Sequence, residues 1–84
     1  MNHVTEVSAE VKTLVAEKLG IDEHEIGDGK SFADDFNMDS LDFYELIMSA
    51  EKKFNLRITD ETAEKLRTVD SLVNYVVEHL TFSD

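Results

Sequence analysis

FNMDSLDFYELIMSAEKKF, Phe36 to Phe54, is the stretch that decides the fold. Placed at 100° per residue, Phe43, Leu46, Ile47, Ala50 and Phe54 fall on one face, the signature of a helix packed on a core. Leu41, Tyr44 and Met48 form a second, narrower apolar strip, and Asp42, Glu45, Ser49 and Lys53 fill the remainder. The helix thus has more apolar surface than one core face needs. Asp39 has the short carboxylate that favours an N-cap, and Asp42 three residues on imitates a capping box, so the helix is expected to start at Asp39-Ser40.

Working outward, Val4, Val7, Val11, Leu14, Val15 and Leu19 repeat at helical spacing, which predicts a first helix over about Asn2 to Leu19. Gly20 supplies the left-handed stop that ends many helices. The connection from Ile21 to Met38 has irregularly spaced apolar residues, Ile21, Ile26, Phe32 and Phe36, which read as anchors of an ordered loop with one helical turn near Phe32. After the decisive helix, Thr59 caps a short helix over about Asp60 to Leu66, with Ala63 and Leu66 inward. Thr68 caps a last helix whose Val69, Leu72, Val73, Val76, Val77 and Leu80 form a dense stripe. The expected fold class is all-α: a small four-helix bundle of three main helices and a short third one, with a long ordered loop between helices 1 and 2.

Eighty-four residues read as one domain, 1–84, with one small core and no room for a deep two-walled active site. Eight basic against nineteen acidic residues give a net charge of −11, which sets the chain against nucleic acid and anionic membrane surfaces and in favour of partners with basic patches. Apolar residues make up 42 % of the chain, enough for a core, so acidity does not mean disorder here. There is no cysteine, so the polypeptide has neither a disulfide nor a thiol of its own. The beginning, MNHVTEVSAE, lacks the basic-then-apolar order of a signal peptide, and no apolar run reaches membrane-span length; the expected compartment is the cytoplasm.

Few residues are arranged for chemistry. Asp35, Asn37 and Asp39 match positions one, three and five of an EF-hand loop, but Ser40 stands at the sixth position and Leu46 at the twelfth, where glycine and a bidentate glutamate are needed. His3, His24 and His79 are scattered and have no ligand spacing, so no metal site is expected. Ser40 has no nearby histidine to act as its base, and Asp34-Asp35 has no evident cleft, which argues against an enzyme. Ser40 therefore has two readings: an ordinary residue of the first helical turn, or a hydroxyl at an accessible loop–helix junction where the helix dipole favours an attached anion.

DSLDFYELIMSAEKKF, preceded by SFADDFNM and followed by LRITDETAEKL and TVDSLVNYV, resembles acyl carrier proteins of the fatty-acid synthesis type, and the resemblance runs through essentially the whole chain. It implies that Ser40 carries phosphopantetheine, transferred from coenzyme A by a phosphopantetheinyl transferase (holo-acyl-carrier-protein synthase). The serine is then a tether and not a nucleophile, and the thiol that the chain lacks arrives with the arm. The resemblance further implies a non-catalytic, monomeric carrier whose second helix docks on basic patches of fatty-acid synthesis enzymes and acyltransferases. Asp39, Asp42, Glu45 and Glu51 match the acidic positions of that surface, and Leu41, Tyr44, Ile47 and Met48 its apolar contacts. Acyl chains would shelter among Phe43, Leu46, Ala50, Phe54, Ile58, Ala63 and Leu66. Several positions depart from the family's pattern: Phe36-Asn37-Met38 before the motif, Phe43 and Tyr44 where smaller residues are usual, Lys52 and Lys53 where acids are common, and Thr59 for a usual proline. These departures leave room for a specialised carrier of other lipid, polyketide or aminoacyl groups. An acidic helical adaptor or cation-binding module with no prosthetic group is the alternative from another class.

Overall fold

In the computed structural model, residues 3–80 are described; Asn2, the expected first helical residue, lies outside them. Four α-helices occur among the described residues: α1, His3–Leu19; α2, Ser40–Phe54; α3, Asp60–Ala63; and α4, Val69–His79. A single 3₁₀ turn, Glu23–Glu25, lies in the connection between α1 and α2. α1 packs chiefly against α4 and then against α2. Val7, Val11 and Val15 from α1, Leu46, Ile47, Ala50 and Phe54 from α2, and Val69, Leu72, Val73 and Val76 from α4 make up most of the core. The valine-rich stripe of α4 is helical because burying it outweighs the small propensity cost of β-branching.

Each helix end has a chemical cause. Gly20 adopts φ +70°, and both its amide and that of Ile21 donate to the Ala16 carbonyl, at 2.8 and 3.1 Å. A side chain in this left-handed backbone would be strained, which suits glycine. Asn55 closes α2 in the same conformation at φ 55°. Thr59 accepts from the Thr62 amide, so its hydroxyl serves as the cap of α3. α3 is shorter than the sequence indicates: regular α geometry stops at Ala63, and i→i+3 bonds, Lys65 N to Thr62 O and Leu66 N to Ala63 O, tighten the chain as far as Leu66. Thr68 and Ser71 form a reciprocal capping box at the start of α4.

The long connection is ordered by apolar anchors and by backbone pairing. Ile26, Phe32 and Met38 are buried, and Ile21 and Phe36 pack partly against the core. The Phe32 amide donates to the Arg67 carbonyl at 3.0 Å, Val69 donates to Lys30 at 3.0 Å, and Asp70 donates to Asp28 at 2.8 Å. These bonds staple the connection to the start of α4. The helical turn expected near Phe32 lies instead at Glu23–Glu25, where Asp22 caps it. Around Phe32 the chain makes turns held by Ser31 and Asp35: the Asp35 amide donates to the Ser31 carbonyl, and the Ser31 amide donates to the Asp35 carboxylate. Met38 then donates to the Phe32 carbonyl at 3.1 Å, which turns its side chain inward and delivers the backbone to α2.

Candidate functional site

Asn37 stands at φ 59°, a left-handed backbone that asparagine tolerates better than most residues, and the chain turns there into α2. Asp39 is extended, and its carboxylate accepts from the Asp42 amide at 2.9 Å, so the N-cap is formed as expected; the reciprocal half of a capping box is absent at Asp42. Ser40 is the first helical residue and is exposed. Its hydroxyl and the amides of Ser40 and Leu41 make no hydrogen bond among the described residues, so the positive end of the helix dipole is open to solvent there. The other described serines are placed differently. Ser31 accepts from the Asp34 amide, Ser71 is engaged with Thr68, and Ser8 and Ser49 lie within helices.

Ser40 opens onto a cavity of about 390 Å³ lined also by Phe32, Ala33, Met38, Asp39, Phe43, Tyr44, Glu64 and Arg67. Its apolar wall is aromatic. The Phe43 ring lies 5.7 Å from Phe32, tilted by 44°, and 5.7 Å from Tyr44 at 60°. Such tilted and edge-on contacts are favourable pairings, so this wall is a packed surface.

Of the residues expected to shelter an acyl chain, only Phe43 lines this cavity. Leu46, Ala50, Phe54, Ile58, Ala63 and Leu66 are buried in the core behind it. A helical wheel finds the inward direction and does not separate a filled core from an open hollow. Tyr44, expected on the docking strip, is half-buried against Phe43 and lines the cavity. Phe32 was visible in the sequence as a loop anchor, whereas nothing marked Met38, Ala33, Glu64 or Arg67 as lining a site; the last two reach it through the pairing of the loop with the start of α4.

Two residues assigned to the outer face of α2 lie elsewhere. Ile47 is 3 % exposed and belongs to the core, because its wheel position lies beside Phe43 and Phe54 on the inward face. Glu51 is partly buried, and its carboxylate accepts from the Ile58 amide at 2.7 Å, holding the turn between α2 and α3. What remains outward is coherent: Asp39, Asp42 and Glu45 with Leu41, 67 % exposed, and Met48, 55 % exposed. Large exposed apolar side chains within an acidic surface are the features of a docking face with a polar rim.

That face is partly neutralised from within. Lys18 of α1 pairs with Glu45 and stands 3.9 Å from Asp42. The hydrogen bond to Glu45, aided by the charges of Glu45, Asp42 and Asp39 against some desolvation, raises the Lys18 pKa. With a raised folded value, this contribution is fully present below the ordinary lysine pKa and is lost as pH rises through the folded value. Lys53 turns to Glu10 of α1 at 3.4 Å, so the basic end of α2 is tied inward. Among the described residues no group of three or more acidic or histidine ligands is arranged for a metal ion, yet the whole chain has a net charge of −11. Repulsion within a 12.0 Å radius of gyration is screened by salt, so millimolar magnesium or moderate salt is expected to raise the melting temperature by about 4–8 °C, the shift that ~1 kcal/mol produces in a domain of this size. A flat thermal scan across that range would contradict it.

The sequence pattern of the family described as phosphopantetheine attachment site matches residues 9–76, a span that includes all of α2 and the Ser40 junction. The chain is 46 % identical over 76 residues to the acyl carrier protein of Rubrobacter xylanophilus, covering 90 % of this chain and 94 % of that one. It is 46 % identical over 67 residues to the acyl carrier protein of Chlamydia caviae, covering 80 % and 87 %. The solution structure of a chain described as an acyl carrier protein from Anaplasma phagocytophilum superposes with a TM-score of 0.82 at 38 % identity, covering 93 % and 92 %. An acidic helical bundle with a free serine hydroxyl at the head of its second helix, matched by these relatives along nearly its whole length, belongs to the acyl carrier proteins.

Proposed function

We propose that Ser40 is the residue to which the phosphopantetheine arm of this carrier is joined, and that the protein serves fatty-acid synthesis as a non-catalytic, monomeric, single-domain shuttle in the cytoplasm. The observation that carries this reading is the unbonded Ser40 hydroxyl, exposed at the open end of α2 and bordering a cavity. The site suits the group. The first-turn amides and helix dipole favour the phosphate, and the arm brings the thiol that the cysteine-free chain cannot provide. Acyl groups are held as thioesters on that thiol.

Asp39, Asp42 and Glu45 form the acidic docking face, with Leu41 and Met48 as its apolar contacts. Partners are a phosphopantetheinyl transferase, synthesis enzymes and acyltransferases with basic patches, since complementary fields speed encounter and fix orientation. The cavity beside Ser40 is the place where a bound acyl chain begins to be sheltered. Incubation with coenzyme A and a phosphopantetheinyl transferase is expected to add one phosphopantetheine per chain by intact mass, and Ser40→Ala is expected to add none. A wild-type mass that stays unchanged while the protein is folded by circular dichroism would overturn the reading.

A further inference from the structure

Arg67 is the one cationic side chain among the described residues that lines the cavity beside Ser40. It is held at both ends. Its carbonyl accepts from the Phe32 amide at 3.0 Å, in the strip where the loop pairs with the start of α4. Its Nε donates to the Glu64 carbonyl at 2.6 Å, which fixes the plane of the guanidinium. The terminal nitrogens have no ion-pair partner among the described residues, although the chain has nineteen acidic residues. A guanidinium has five N–H donors in a planar fork, so four remain for an anion.

We infer that Arg67 is the counter-ion of the phosphodiester that links the arm to Ser40; the inference rests on the carrier reading proposed above. The phosphate enters a site where Asp39 and Glu64 line the cavity and Asp42 follows on α2; these charges oppose it, while the open end of α2 favours it. Arg67 supplies the missing positive charge with the two-pronged geometry that matches a phosphate. A carboxylate at the far end of some acyl groups has the same chemistry. The phosphodiester takes precedence because its covalent link keeps it at the cavity mouth in every loading state, at high effective concentration.

The test compares wild type, Arg67→Gln and Lys65→Gln, a neighbouring charge change away from the cavity, each in apo form, loaded with the arm alone, and loaded with the arm bearing a dicarboxylic acyl group. Intact mass establishes loading. The phosphorus resonance of the loaded protein is expected to differ between wild type and Arg67→Gln and to be unchanged by Lys65→Gln. Loading is expected to lower the melting temperature of Arg67→Gln by about 2–4 °C while wild type changes by less than about 1 °C. Full loading with identical phosphorus spectra and melting shifts in all three proteins overturns the inference and leaves the carrier reading intact. An Arg67 effect that appears only when a dicarboxylic acyl group is loaded assigns the side chain to cargo and overturns it as well. Failure of wild type to load overturns the carrier reading and this inference together.

Discussion

Phe32→Ala is expected to remove about 3–5 kcal/mol of stability, the range for deleting a buried phenylalanine ring. A domain of this length has a total of about 4–13 kcal/mol, so at least about a quarter of it would be lost. The ring is 2 % exposed and packs in the core between the long connection and α2, with Phe43 across from it. The backbone bonds of Phe32 to Arg67 and Met38 survive the substitution, but the side chain that seats them does not. The empty volume adjoins the cavity that Phe32 itself lines, so the variant should loosen the Ser40 region before the α1–α4 pair. Urea unfolding of both proteins measures the loss. A difference below about 1 kcal/mol would mean that the loop is held by its backbone pairing and not by this anchor.

Phe43→Thr should act on function more than on folding. Phe43 is half-buried, and its ring is a wall of the cavity where Phe32 is its floor. Removing the ring costs stability, about 1–3 kcal/mol for a partly buried aromatic, and enlarges the space beside Ser40. Each additional methylene that this space shelters is worth ~0.8 kcal/mol, about a fourfold change in the sheltered population. Long-chain thioesters on the variant should therefore resist a thioesterase several-fold better than on wild type, while short chains change little. Equal hydrolysis rates for both chain lengths on both proteins would show that the aromatic wall does not set cargo size.

The helices were legible because their causes are local. Asp39, Thr59 and Thr68 announce N-caps, Gly20 announces a stop, and the stripes of α2 and α4 repeat at helical spacing. Ser40 was legible for the same reason: it follows a cap residue at the head of the strongest pattern. The cavity was not. It depends on Phe32, Glu64 and Arg67, which come from segments without periodicity and meet only through loop pairing. Glu51 shows the same limit on α2. A wheel gives the angle of a side chain, but not that a neighbouring turn needs Glu51 as an acceptor for the Ile58 amide. The outward acidic face of α2 is smaller than the sequence suggests, and Lys18, twenty-seven residues before Glu45, pairs with part of it.

The chain has six serines, at 8, 31, 40, 49, 71 and 83, and the account stands on one of them. Loading the wild-type protein with a phosphopantetheinyl transferase, digesting it and fragmenting the peptides by mass spectrometry locates the arm. A single modified residue is expected, Ser40, with the other five unmodified. An arm found on any other serine, or a Ser40 peptide that remains bare in a loaded sample, would contradict it.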